Sequence, residues 1–214
     1  MGGGVRSMKI LCLYNNDCAL ELFEWLSTQG HETMLCSEKL SPDWCWKQLF
    51  DLAVSYTYRY IINKEVLKAL NFNVVNIHNA YLPWNRGADP NLWSILDNTP
   101  RGVTLHYVND QLDKGSIIAQ VVVNDVRDDE TLETTYERLD LEAKSLFKNA
   151  FAYYDCWKDM RKESCSSGSY HRLADSSAIK DAIGSYKICI YDLKVKYAEI
   201  QNRILGGVAS QDVD

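Results

Sequence analysis

The chain has 214 residues, 46% hydrophobic and 24% charged, with 4 Pro and 11 Gly, an ordinary globular composition that excludes disorder, collagen-like repeats and disulfide-built miniproteins. Twenty-three Lys and Arg against 29 Asp and Glu leave a formal charge of −6, which argues against a broad phosphate-binding surface and so against nucleic acid as the partner. Seven Cys, odd in number and without a C-x-x-C pair, fit no metal pattern and read as free thiols of a reducing cytosol.

No signal peptide is visible, and no apolar run approaches the ~18 residues of a membrane span, so a cytoplasmic protein with no membrane contact is expected. The leader Met1 to Ser7 has Arg6 where a myristoylation motif places Ser or Thr. Met8 reads as the natural start. Met8 to Tyr14 is a short apolar run expected as a buried first strand. Asp17 to Gln29 follows with helical spacing of Leu20, Phe23 and Leu26, opened by Asp17 as N-cap and stopped by Gly30. Thr33 to Ser37 reads as a second strand, Asp43 to Phe50 as a helix started by Ser41-Pro42, and Leu52 to Tyr56 as a third strand. Lys64 to Leu70 is a short helix and Asn73 to His78 a fourth strand. This alternation predicts an open α/β sheet, mostly parallel.

The pattern then changes. Gly102 to Val108 and Ser116 to Asn124 are strands with no helix between them, which predicts an antiparallel hairpin at the sheet edge. Glu130 to Trp157 is a long amphipathic helix with Leu132, Tyr136, Leu139, Ala143, Leu146 and Ala150 on one stripe. The Ser/Gly-rich stretch Lys162 to Ser169 is the expected boundary. It divides a catalytic domain over 8–161 from a C-terminal extension over 162–214 that is too short for a core of its own.

Ligands of open α/β sheets bind past the carboxyl ends of the strands. The first strand runs into Asn15-Asn16-Asp17, so neither a dinucleotide fingerprint nor a P-loop is present. The fourth strand carries Asn76 and His78, two apart and therefore on one side of the pleat. Asp113, in Leu112-Asp113-Lys114-Gly115, lies in the hairpin loop. Gly115 would permit a positive φ that folds the loop back towards the strand ends. An amide, an imidazole and a carboxylate brought together suit acyl transfer to an amine, in which the amine loses a proton and an oxyanion needs donors.

These residues resemble the 10-formyltetrahydrofolate-dependent formyltransferases. The resemblance rests on Asn76-Ile77-His78 with Leu82-Pro83 nearby, on Gly102-Val103-Thr104-Leu105-His106, and on Leu112-Asp113-Lys114-Gly115-Ser116-Ile117-Ile118-Ala119-Gln120. It covers about Met8 to Leu146. Ser55 to Arg59 and Leu82 to Asn91 are similar to the branch acting on nucleotide-linked amino sugars. Gly168-Ser169-Tyr170-His171-Arg172 resembles a tail segment of that branch, although Leu173-Ala174-Asp175 departs from its basic-Asp continuation.

The resemblance implies a formyltransferase-type α/β fold and 10-formyltetrahydrofolate as formyl donor, with no metal. Asn76 and His78 would stabilise the oxyanion, and Asp113 would orient His78 and help move protons. Tyr58 and Arg59, with Asp110, Leu112 and Gly115 of the hairpin loop, would contact the folate. Tyr81, Trp84 and Trp93 are candidates to stack on a sugar or base, although they are equally good core material. Arg86 would pair with a diphosphate or stay a loop arginine. His106 reads as a hydrogen-bonded strand residue.

The substrate implied is the amine of a nucleotide-linked amino-deoxy sugar, feeding cell-surface glycan synthesis of the O-antigen type. Alternatives are glycinamide ribonucleotide transformylase, which should show a phosphate loop after the first strand, and methionyl-tRNA formyltransferase, which needs a basic tail. A formyl-folate deformylase would bring an N-terminal regulatory domain. A catalytically silent folate or nucleotide-sugar binding module is the reading from another class. Tyr186 to Tyr191 is expected as an apolar edge strand, and a free edge of that kind points to a homodimer.

Overall fold

A run of alternating apolar residues that feeds both faces of a sheet forms the middle layer of this molecule. The computed structural model describes residues 6–123, 125–160, 162–163 and 167–209, with side chains to Arg203. The leader 1–5, Asn124 of the expected hairpin and Cys165 of the expected thiols lie outside those residues. Among the described residues the strands are β1 (Lys9–Leu13), β2 (Glu32–Cys36), β3 (Leu52–Tyr56), β4 (Val74–His78), β5 (Arg86–Gly87), β6 (Gly102–Tyr107), β7 (Ile117–Val122) and β8 (Tyr170–His171). The helices are α1 (Leu20–Thr28), α2 (Pro42–Gln48), α3 (Lys64–Ala69), α4 (Pro90–Leu96), α5 (Leu132–Phe151), α6 (Trp157–Met160), α7 (Ser177–Ile183) and α8 (Ile190–Ala209).

The main sheet has the order β2-β1-β3-β4-β6-β7. The first four strands are parallel, β6 runs antiparallel to β4, and β7 runs antiparallel to β6. The expected mostly parallel sheet with an antiparallel edge hairpin is therefore what the chain forms. Ile10, Cys12, Val54, Tyr56, Val75 and Ile77 point to one face and pack on Phe23, Leu26, Leu139 and Phe147 of α1 and α5. Leu11, Leu13, Ala53 and Val74 point to the other and pack on Val66, Leu67 and Cys45 of α2 and α3. A third apolar cluster joins Leu92, Trp93 and Ile95 of α4 to Ile179, Ile190 and Leu193 of α7 and α8. The 162–214 extension thus shares a core with the 8–161 segment.

Several expectations are corrected. Asp17 does not cap the first helix: it opens a 3-10 turn, Asp17–Ala19, that is capped by Asn16, whose side chain accepts from the Cys18 N–H, and α1 follows from Ala19 with no side-chain cap. The long helix ends at Phe151, where the chain turns so that the Trp157 indole can donate to the Ala150 carbonyl. Tyr186 to Tyr191 is not a strand. Its backbone is taken up by the start of α5, with Leu132 N donating to Ile188 O and Glu133 N to Tyr186 O. Ile190 then begins α8, because Ile190 and Leu193 are fully buried at helical spacing. The edge on which a homodimer was expected does not exist.

Gly115 is also corrected, since it is not in the left-handed region. Asp113 is, at φ 51. Gly115 is required for close approach, because a Cβ there would run into the Tyr107 carbonyl. Helix α4 and the two-stranded β5–β8 sheet were not anticipated, and both border the site.

Candidate active site

The reversal of β6 sets Asn76 in register with His106, and His78 with Thr104. Antiparallel partners directly opposite each other share a face. Asn76, His78, Thr104 and His106 therefore form one polar patch at the end of β4. Thr104 works structurally: its hydroxyl donates to the Ala80 carbonyl at 2.7 Å and receives the Leu82 N–H. Gln120, its neighbour across β7, donates to Leu82 O at 2.8 Å and to Thr104 Oγ1 at 2.9 Å. Together they hold the chain that leaves β4.

His106 is buried, and its Nδ1 lies 2.9 Å from the Tyr107 carbonyl. A carbonyl only accepts, so Nδ1 carries the proton and Nε2 is a bare acceptor. Asn76 Nδ2 is 3.3 Å from that Nε2. One N–H of the Asn76 amide is thereby committed to His106, and its orientation is set. Burial pushes the His106 imidazole down to about 4, against the pull of Asp113, so the ring is neutral near pH 7.

His78 Nε2 lies 3.1 Å from the Asn85 carbonyl, which makes Nε2 the donor, and 3.7 Å from Asp113 Oδ2. Asp113 is buried, with Oδ1 3.8 Å from His106 Nε2, and it accepts the Gly87 N–H at 2.8 Å. Burial would raise its carboxyl, but the neighbouring His78 and His106, the Gly87 N–H and Arg86 together hold it below the usual carboxylate range. The three side chains expected to converge do so.

They line a cavity of about 880 Å³, within the range of small-molecule sites. Tyr58, Arg59, Asp110 and Leu112 line it too, with exposed Ile61 and Leu112 on that side. Tyr58 is anchored through its hydroxyl, which donates to Glu38 O at 2.6 Å. Tyr136 of α5 also lines the cavity, as do Tyr170, His171, Arg172 and Tyr186 of the tail.

Tyr81, Trp84, Arg86, Trp93 and Gly115 are not among the described residues that line the cavity. Trp93 is buried and stacks on His171 at 4.1 Å between ring centroids. Arg86 is buried and donates from Nη2 to Ser167 O at 3.2 Å, tying the tail instead of facing the cavity. The sequence placed Tyr136 on a core-facing stripe and Tyr186 in a strand, and assigned neither the tail aromatics nor the Asn85 carbonyl a part in the site. Quoting Gly168 to Arg172 as a motif was the one available signal for the tail. Among the described residues no group of three or more His, Cys, Asp or Glu is arranged to hold a metal ion. No helix there is long and apolar enough to cross a membrane.

A family model described as formyl transferase matches residues 46–151. The fold is similar to the solved formyltransferase PseJ from Anoxybacillus kamchatkensis, in complex with UDP-4,6-dideoxy-4-formamido-L-AltNAc and tetrahydrofolate. That similarity has a TM-score of 0.76 and 34% identity, over 86% of this chain and 97% of that one. A dTDP-4-amino-4,6-dideoxyglucose formyltransferase from Mycobacterium tuberculosis is 52% identical over 71 residues, 33% of this chain and 30% of that protein. A methionyl-tRNA formyltransferase from Fusobacterium nucleatum is 36% identical over 100 residues, 46% of this chain and 32% of that protein. The matched segments thus span about a third of the length of those two curated relatives. Similar to PseJ over nearly all of that protein, and matched by the family model across the segment that carries Asn76, His78 and Asp113, the chain belongs to the formyltransferase family.

Proposed function

We propose that the protein transfers a formyl group from 10-formyltetrahydrofolate to the amine of a nucleotide-linked amino-deoxy sugar. The observation that carries this reading is one cavity lined by Asn76, His78 and Asp113 together with two differently built groups of residues. The Tyr58, Ile61 and Leu112 side is apolar and aromatic, with the backbone of 109–112 beside it, a surface that fits a flat heterocycle with hydrogen-bonding edges. On the tail side Tyr170, Tyr186 and Arg172 suit a base and phosphates.

The folate supplies the formyl carbon and leaves with a proton on its nitrogen. The Asn76 amide has two N–H donors; one is held by His106 Nε2 at 3.3 Å, and the other is available to the formyl oxygen as it gains charge. His78 Nδ1 has no hydrogen-bond partner among the described residues, and the ring lines the cavity. With a proton there, the ring presents a second donor to that oxygen. Asp113, 3.7 Å behind at Nε2, offsets the ring's charge and takes part in passing the amine proton to the departing nitrogen. The C–N bond to the sugar forms, the C–N bond to the folate breaks, and one proton moves between the two nitrogens.

The net charge of −6 disfavours tRNA as the acceptor. The formamido UDP-sugar bound in the PseJ complex and the dTDP-linked amino sugar in the name of the mycobacterial relative support an amino-sugar nucleotide as the acceptor, and we propose that its formylated product goes on to cell-surface glycans. Free thiols at Cys12, Cys18, Cys36, Cys45, Cys156 and Cys189 suit the reducing cytoplasm in which reduced folate is kept. The test is to incubate the protein with 10-formyltetrahydrofolate and a panel of amino-sugar nucleotides. One sugar gaining the mass of one formyl group is the expected result. Tight binding of a sugar nucleotide without product on any of them would favour the silent binding module.

A further inference from the structure

The reading above leaves β8 as a wall of the cavity. Its hydrogen bonds assign it more. Asn85, fully buried, sits one residue before β5 with φ 55, a conformation Asn tolerates better than most residues. Its carbonyl receives the His78 Nε2–H at 3.1 Å. Its own N–H donates to Ser169 Oγ at 2.8 Å, and Ser169 Oγ returns a hydrogen bond to Asn85 Oδ1 at 3.2 Å. Asn85 Nδ2 is held by Thr99 Oγ1 at 2.8 Å. The serine hydroxyl thus clamps the peptide and side chain of the one residue whose carbonyl aims His78.

The clamp continues along β5. Arg86 N donates to Ser169 O at 3.1 Å and Ala88 N to His171 O at 2.9 Å, while between them Gly87 N donates to Asp113 Oδ2 at 2.8 Å. One strand therefore faces the tail with two of its N–H groups and the catalytic candidates with the groups between. Gly87 and Gly168 make that closeness possible, because a Cβ on either would run into the His171 or the Pro83 carbonyl. Outside the strand pair, Asp89 is bound by Lys180 Nζ at 2.6 Å and Ser176 Oγ at 2.5 Å, and His171 Nε2 meets Asp97 at 3.0 Å.

We propose that Ser169 and Asn85 are positioning residues for His78, so that docking of the tail strand β8 sets the imidazole's tautomer and aim. The consequence for turnover rests on the formyl-transfer reading; the consequence for the ring does not. Tyr170, His171 and Arg172, next along the same strand, line the cavity. A nucleotide seated on them holds in place the strand that holds His78.

The test uses the full chain with 15N-labelled histidine rings. Only four histidines are present, so each is assigned by its own His→Gln substitution. In the wild-type protein the His78 signal is that of the Nε2-protonated tautomer. Ser169→Ala removes the acceptor for the buried Asn85 N–H. It is expected to shift the His78 tautomer ratio and leave His31 unmoved, and Ser169→Thr, which keeps the hydroxyl, is expected to restore the wild-type His78 ratio. In the formylation assay kcat falls about tenfold, the scale of one misplaced hydrogen bond, with KM for the folate within about twofold.

Unchanged His78 ring signals in Ser169→Ala overturn the proposal, whatever the activity. A shifted His78 signal in a protein that formylates no sugar overturns the functional reading and leaves the positioning role standing. If Ser169→Ala does not fold, Asn85→Gly retains the backbone conformation and removes the side-chain clamp. The same His78 shift is then expected, and its absence overturns the proposal equally.

Discussion

His106 offers a measurement that reaches the site through stability alone. Burial depresses its imidazole from 6.5 to about 4, so between those values the unfolded chain carries a proton that the folded chain refuses. Unfolding is therefore harder at higher pH. The stabilisation is present in full above the unfolded value and is lost as pH falls through the folded one. A shift of that size corresponds to roughly 3 kcal/mol in total, and to about 2 kcal/mol between pH 7 and pH 5. That is a large share of a stability of ~5–15 kcal/mol.

The assay is urea unfolding at pH 7, 6 and 5 for the wild-type protein and for His106→Gln, whose side chain does not titrate and can place an oxygen where Asn76 Nδ2 finds an acceptor. The wild-type curve should fall more steeply by about 2 kcal/mol over that interval. His31, also depressed by burial, is common to both proteins and cancels in the difference. Equal slopes would refute the neutral, Nδ1-protonated His106, and with it the orientation assigned to the Asn76 amide.

Further substitutions bear on the remaining parts of the site. His78→Ala and Asp113→Asn should each lose turnover by at least ~100-fold while retaining sugar-nucleotide binding by calorimetry; wild-type rates in either would remove that residue from the chemistry. Tyr170→Ala, on an exposed aromatic of the tail wall, should raise KM for the sugar nucleotide about tenfold, in line with ~1–3 kcal/mol for a base stacked on a ring, and leave KM for the folate unchanged. Gly115→Ala should displace the Asp113 loop from the Tyr107 carbonyl and destabilise the protein by about 1–3 kcal/mol, seen as a lower urea midpoint together with reduced kcat. Arg101 is buried, its guanidinium donating to Asn91 Oδ1 at 2.9 Å, to Val123 O at 3.3 Å and to the Thr135 carbonyl. Arg101→Met should strand those acceptors and cost about 3 kcal/mol or more, read in the same unfolding assay.

The parts of this molecule that announce themselves in the sequence are those whose signal is a side-chain period. Strands β1, β3 and β4 alternate between two apolar clusters, and the stripe of α5 faces one of them. Asn76, His78 and Asp113 were legible because an amide, an imidazole and a carboxylate at such positions suit acyl transfer. The misread tail shows the opposite case. Tyr186 to Tyr191 alternates like a strand over six residues, yet Ile190 and Leu193 belong to a helical stripe that only packing against α4 reveals. Asn85 and Ser169 stand in stretches that the resemblance covers, but their link to His78 was hidden for a different reason. Asn85 reaches His78 through a backbone carbonyl, which every residue possesses. Trp93 and Arg86 have the right chemistry for a ligand, but partners far along the chain, His171 and Ser167, claim them.

The direction of β6 has a consequence for how such a molecule could diversify. A parallel neighbour of β4 would send its own carboxyl end to the same rim, and any group facing Asn76 there would sit on a variable loop. Because β6 is reversed, His106 stands inside a hydrogen-bonded ladder opposite Asn76, while the tail wall of the cavity hangs on β8 and the turn before α8. The amide and its imidazole support are inherited with the sheet. The aromatics of the tail can be exchanged without touching that pair, as long as a hydroxyl remains where Ser169 stands. On the proposed reading, transplanting a tail between relatives would retarget the acceptor while Asn76 and His106 stay where the ladder put them.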